Sequence, residues 1–203
     1  MPPTFNDVAT TDTFYHEIEA LFAAGITAGT STSPPLFSPL ASCTISQMMI
    51  FLTRCVSRAD TMISKTDTAA PAMYTDVNQS HWAFGNIQKA AKLGIPGTRE
   101  LDDFTPGLLG EATAVKRKWA VTWIVRALAK DELTVTTARF TDVPLGYYLI
   151  GWIERAVALG VTVGTSATLF SPDDTMTRGQ MAAFLVRAFG LPFVTAIQPL
   201  VEQ

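Results

Sequence analysis

The chain repeats itself three times, and this constrains its fold more than any other feature. An aromatic-x-Asp-Val motif recurs as Phe5-Asn6-Asp7-Val8, Tyr74-Thr75-Asp76-Val77 and Phe140-Thr141-Asp142-Val143, with the aspartates 69 and 66 residues apart. An isoleucine stands eleven positions after each Asp (Ile18, Ile87, Ile153), and a glycine seven positions later (Gly25, Gly94, Gly160). Each glycine is followed by Ile26, Ile95 or Val161. Next come a Gly-Thr pair (Gly29-Thr30, Gly97-Thr98, Gly164-Thr165), a Phe-x-Pro (Phe37 to Pro39, Phe104 to Pro106, Phe170 to Pro172) and an apolar segment closing on Arg54, Arg126 or Arg187. So many features in one order, three times over, are not a chance arrangement. The copies span residues 1–57, 71–128 and 139–191. A Thr/Ser/Ala-rich linker joins the first two, a shorter connection joins the second to the third, and a tail at 192–203 has no counterpart in the repeat.

Each copy reads as helix, loop, helix. The first helix carries Ile18, Leu21 and Phe22 in copy one, with Ile87, Ala90, Ala91 and Ile153, Ala156, Val157 as counterparts. This is the i, i+3, i+4 spacing of one apolar stripe. The glycine after it suits a left-handed helix end. The following stretch is too rich in Gly, Pro, Ser and Thr for a helix, and its Phe is placed to anchor a structured loop. The second helix is apolar nearly all round: Met48 to Leu52, Trp119 to Val125, Met181 to Val186. A helix without a polar face belongs at the centre of a fold. The expectation is an all-α protein with three helix-loop-helix repeats arranged pseudo-threefold around a central three-helix bundle. One copy could not bury its own faces, so the three form one cooperative domain.

Composition narrows the function classes. Hydrophobic residues make up 48% and charged residues 16%, enough to build a core. A net charge of −3 argues against nucleic acid or an anionic membrane surface, both of which demand a basic face. No apolar run reaches membrane-spanning length. The start, Met1-Pro2-Pro3-Thr4-Phe5, has neither the basic nor the apolar region of a signal peptide. An extracellular protein would therefore have lost its leader. Cys43 and Cys55 lie too far apart along one helix to pair, and read as free thiols. Two Cys and two His without ligand spacing give no metal site, and no cofactor motif is present. No Ser/His/Asp or paired-carboxylate arrangement supports catalysis, so the chain reads as a non-enzyme.

Copy three carries the family resemblance. Phe140-Thr-Asp-Val, then Gly160-Val-Thr-Val-Gly164-Thr, Phe170-Ser-Pro and Thr177-Arg178-Gly179-Gln180 resemble the S-layer homology repeat, whose second helix opens on a Thr-Arg-Ala-Glu-like motif. The resemblance runs from Phe5 to about Leu191. It implies anchoring to a bacterial cell wall through a secondary cell-wall polysaccharide, often pyruvylated, bound in grooves between repeats. It also implies that the motif Arg contacts the glycan acid, helped by an Asp, an aromatic residue and the glycine loop. Carried over residue by residue, the glycan-binding candidates are Arg178, Arg117, Asp76, Asp142, Trp82, Tyr148, Gly97, Thr98, Gly164 and Thr165. The implied partner is a wall polysaccharide or peptidoglycan-linked polymer at the extracellular bacterial surface, with no nucleic acid and no membrane insertion. Self-association is left open.

The chemistry of the arginine can be argued independently. A pyruvyl ketal presents a carboxylate, which the planar guanidinium fork can grip with two parallel hydrogen bonds. Thr177 and Gln180 are spaced as a capping box, putting Arg178 on a first turn beside free backbone N–H groups. Copy one has Ile45 in place of Arg, so its site is expected to be altered. Copy two has Arg117, but the interval from Phe104 to Arg117 is five residues longer than that from Phe170 to Arg178. The alternative reading is a repeat scaffold for protein–protein contacts or S-layer assembly that has lost its sugar. On that reading Arg178 pairs with Asp173 or Asp174, and the motif aspartates serve as turn or cap residues. Arg54, Arg126 and Arg187 are expected to tie each second helix to a neighbour. His16 and His81 are expected at the surface.

Overall fold

A computed structural model describes residues 2–62, 64–69, 72–96 and 107–194. The described part is mostly helical. Each copy contributes a short helix and a longer one: α1 (Tyr15–Ala23) and α2 (Ile45–Ala59), α3 (Phe84–Lys92) and α4 (Arg117–Ala127), α5 (Ile150–Ala158) and α6 (Arg178–Phe189). A two-residue hairpin, β1 (Ser31–Thr32) with β2 (Pro35–Leu36), lies in the first loop.

The short helices form where the apolar stripe predicts, with Ile18, Ile87 and Ile153 fully buried. Each ends in the same way. Gly25, Gly94 and Gly160 adopt φ of +70°, +69° and +71°. The next residue then donates its N–H back to the carbonyl five positions earlier: Ile26 to Leu21, Ile95 to Ala90, Val161 to Ala156. That left-handed turn is open to glycine without steric cost and turns the chain into the loop.

Each loop is fastened by the motif aspartate. Both oxygens of Asp7 accept backbone N–H groups, from Phe37 at 2.8 Å and Ser38 at 2.7 Å. Asp142 does the same with Phe170 and Ser171, at 2.9 and 2.7 Å. Asp76 holds Leu109 and Gly110, at 2.9 and 2.8 Å. Copy two therefore has a different register from the one its Phe-x-Pro suggests. The structural counterpart of Phe37 and Phe170 is Leu109, and Phe104 to Pro106 lie outside the described residues. The interval from Leu109 to Arg117 is eight residues, as from Phe37 to Ile45 and from Phe170 to Arg178. The extra residues of copy two lie before the anchor, so Arg117 is a full counterpart of Arg178.

The copies exchange partners. Each short helix packs mainly on the long helix of the copy before it: α3 on α2, α5 on α4, and α1 on α6 of the third copy. The three long helices also contact one another. Ahead of them, Cys43 N–H donates to the Met176 carbonyl, Met176 to Val115, and Val115 back to Cys43, at 2.9, 2.9 and 2.8 Å. This closed ring satisfies buried backbone groups of all three copies together. Cys43 and Cys55 are buried free thiols.

The connections dock on the short helices. Leu133 and Gly151 bond through the backbone, and a Cβ at Gly151 would lie 2.5 Å from the Leu133 oxygen. Asp67 donates to the Gly85 carbonyl in the same manner. In copy one, His16 occupies this position, and Phe193 from beyond α6 lies against it with ring centroids 5.6 Å apart. The start of the tail thus takes the place the connections hold in the other copies.

Candidate functional site

A cavity of about 320 Å³ draws on all three copies. Copy one supplies its loop from Thr27 to Thr30 and the Gln47, Ile50, Phe51 and Arg54 face of α2. Copy two supplies Trp82, and copy three supplies Arg178. The exchange of partners explains this. Arg178 opens α6, which is locked onto copy one because the Arg178 and Gly179 N–H groups donate to the Ala41 and Pro39 carbonyls, both at 2.9 Å. Gly179 permits that approach: a Cβ there would lie 2.6 Å from the Phe14 ring. These bonds correct the expectation of a free, anion-attracting helix start. The first N–H groups of α6 are taken by copy one, and the capping box of Thr177 and Gln180 is present as the sequence predicts.

Arg178 is 3% exposed. Its Nε donates to the Phe37 carbonyl at 2.8 Å, and its guanidinium lies 4.6 Å from the Phe37 ring centroid and 5.5 Å from that of Phe51. Its Nη2 is buried with no hydrogen-bond partner. Burial pulls the guanidinium below its ordinary value, opposed by the nearby Cys43 and Asp7. It pairs with neither Asp173 nor Asp174. Asp173 instead bridges Lys116 and Lys118, at 3.2 and 3.0 Å.

Arg117 repeats this geometry at the next position. Its Nε donates to the Phe170 carbonyl at 2.9 Å, its guanidinium lies 5.0 Å from the Phe170 ring and 5.4 Å from that of Phe184, and its Nη2 is likewise buried without a partner. Burial lowers it too, opposed by Asp174 and Asp142. Thr165 and Ser171 share a 2.7 Å hydroxyl bond in that loop, as Thr30 and Ser38 do in copy one. The third position is occupied by Ile45, 1% exposed, whose N–H donates to the Thr113 carbonyl of copy two. The missing arginine is therefore lost from the side of copy two's loop, whereas the sequence reading assigned the loss to copy one.

The remaining candidates divide by place. Trp82 is 66% exposed on the wall of the Arg178 cavity. Tyr148 is 54% exposed beside α4, edge-on to Trp119 at 6.1 Å. Asp76 and Asp142 spend both oxygens on their own loops. Gly164 holds φ of +96°, and a Cβ there would meet the Leu169 oxygen and Phe140 ring at 2.6 Å, so it shapes the Arg117 loop. Gly97 and Thr98 lie outside the described residues. Gly29 and Thr30, the Gly-Thr pair of copy one, line the Arg178 cavity and are not among the sequence candidates. Arg54 ties α2 to its own copy, donating to the Ile26 carbonyl at 2.8 Å, as Arg126 does to Ile95 at 3.4 Å. His16 is exposed, whereas His81 is half-buried against Glu111 at 3.2 Å. Among the described residues no His/Cys/Asp/Glu group could hold a metal, and no helix is long and apolar enough to cross a membrane.

The S-layer homology domain model matches residues 74–106 and 139–182, within copies two and three. A protein named "Cell surface protein" from Thermoanaerobacter kivui is 28% identical over 190 residues, covering 94% of this chain and 22% of that protein. The chain is thus similar to S-layer homology domains within copies two and three, and over most of its length to a cell surface protein of which it spans about a fifth.

Proposed function

We propose that the chain is a non-catalytic module that holds a protein at the bacterial cell surface by binding an acidic wall polysaccharide, and that its three copies, the first included, stand pseudo-threefold about α2, α4 and α6. The observation that carries the reading is the pair of buried arginines, each with an unpartnered Nη2, of which Arg178 lines the cavity between the copies. A desolvated guanidinium with an unused donor is costly, and a ligand carboxylate would complete it with short charge-assisted bonds. Arg178 serves the groove of copy one, and Trp82 offers a ring face to a sugar. Arg117 serves the groove of copy three, where Thr13 stands in place of the aromatic residue. The groove facing Ile45 lacks the anion contact. The family anchors proteins to cell walls, and the name of the T. kivui relative fits the same location.

The test is sedimentation with purified wall sacculi, with and without their linked polymer, using wild type, Arg178→Lys and Arg117→Lys, with thermal melts run alongside. We expect binding to polymer-bearing walls only, weakened about ten- to a hundredfold by Arg178→Lys, the range that the loss of a charged hydrogen bond allows. Undiminished binding by both variants would remove the arginines from the site. A second reading rests on the Nε bonds and ring stacking, which would also suit a purely structural rivet. It predicts lower melting temperatures and no wall binding by wild type.

A further inference from the structure

Arg54 is a wall of two cavities. On one side is the Arg178 groove. On the other, a cavity of about 530 Å³ is lined by Arg54, Arg58, Lys65 and the hydroxyl-bearing Ser57, Thr61 and Ser64. No carboxylate lines either cavity among the described residues. Arg58 and Lys65 are exposed and form no ion pair among the described residues. Four cations therefore run across two adjoining cavities of a protein whose net charge is −3. Charges of one sign repel when grouped, and an opposing charge in the cavity relieves that repulsion. The carbonyl end of α2 accounts for part of this charge, since Arg58 lies in its last turn. It does not account for Lys65, which reaches the same cavity from the linker.

We infer that the Arg54–Arg58–Lys65 cavity is a second anion subsite, which takes the next acidic unit of a polyanionic glycan whose first acidic unit lies at Arg178. The inference rests on the wall-binding reading for its first subsite. It makes the ligand a stretch of polymer and not a single acidic sugar. Arg54 is the shared contact, held half-buried by its bond to Ile26. Its remaining N–H groups serve both sides. The linker that follows α2 then supplies part of the site through Thr61, Ser64 and Lys65. In copy two the counterpart Arg126 is engaged differently, stacked over Trp152 with its guanidinium 4.7 Å from the ring centroid.

The test uses acid-released wall polymer, fractionated into single repeat units and longer chains. Dissociation constants are measured for wild type and the double variant Arg58→Gln, Lys65→Gln. In wild type, longer chains should bind about tenfold tighter or better, because linked subsites raise the effective concentration of the second contact. The double variant should bind single units as wild type does and lose the gain from length. It should also lose part of its salt dependence, since exposed charges are screened. If both proteins show the same length dependence while still binding single units, the second subsite is wrong and the Arg178 reading stands. If the substitutions lower the melting temperature without changing the length dependence, the charges serve only the helix end. If wild type binds no fragment, both readings fail. Titrations of the Arg Nε–H resonances with inorganic phosphate and with pyruvate identify the acid: Arg58 should respond to one of them, and silence towards both would overturn the proposal.

Discussion

At the residue scale, position decides what a repeated residue does. The loop glycines carry steric demand. Gly29 has φ of +85°, with the Leu36 oxygen 2.3 Å and the Phe5 ring 2.6 Å from where a Cβ would be. Gly164 meets the same obstacles. We expect Gly164→Ala to cost about 1–3 kcal/mol, the range for a left-handed non-glycine backbone, measured from urea midpoints, with a loss of wall binding through the Arg117 groove. Asp173 behaves differently because it is open to water. The Lys118 bond, aided by Lys116, holds its carboxyl below the ordinary 3.8, against a smaller opposing effect of burial. A carboxyl depressed in the folded state stabilises above its unfolded value, and that contribution is lost as pH falls through the folded value. Asp173→Asn should therefore lower the urea midpoint at neutral pH and have no effect in acid below both values. An equal deficit at both pH values would mean that packing, and not charge, is what Asp173 contributes.

At the scale of the element, the long helices differ in how they begin. α2 and α6 start on a complete capping box, Thr44 with Gln47 and Thr177 with Gln180, whereas Lys116 ahead of α4 provides no side-chain cap. Thr177→Ala should cost about 1 kcal/mol. Lys116→Thr should return less, because Trp119 stands where the reciprocating Gln would be and Lys116 gives up its ion pair with Asp173. Calorimetric melts of the two variants check the pair. α4 forms regardless, since Trp119, Val121, Trp123 and Ile124 are buried and tertiary packing outweighs a missing cap.

For the whole molecule, the exchange of partners turns three small units into one. α1 needs α6, and the ring through Cys43, Met176 and Val115 needs every copy. The full chain should unfold in a single transition. A fragment ending at residue 128 should lack native packing, because α1 would be left without α6; near-ultraviolet circular dichroism tests this. The thiols give a second probe. Burial pushes Cys43 up to about 12 and raises Cys55 as well. Both should resist thiol reagents at pH 8 until global unfolding, and labelling of either well below the melting transition would reveal local opening of the centre.

The repeat, the two helices of each copy, their glycine ends, the capping boxes of copies one and three and the anchoring Phe37 and Phe170 were all legible in the sequence. They depend on contacts within a few residues, or on an apolar stripe that any partner would cover. Three things were settled by tertiary structure. Leu109 is the anchor of copy two, because the two Asp76 hydrogen bonds to Leu109 and Gly110 fix the register there. The first N–H groups of α6 are spent on Ala41 and Pro39, which closes the helix start as an anion site. Arg178 bonds to the loop of copy one and Arg117 to that of copy three, because each of these long helices docks its first turn on the loop of another copy. A repeated pattern describes each unit, but which neighbour completes it depends on packing between elements distant in the chain, and only the folded molecule specifies that.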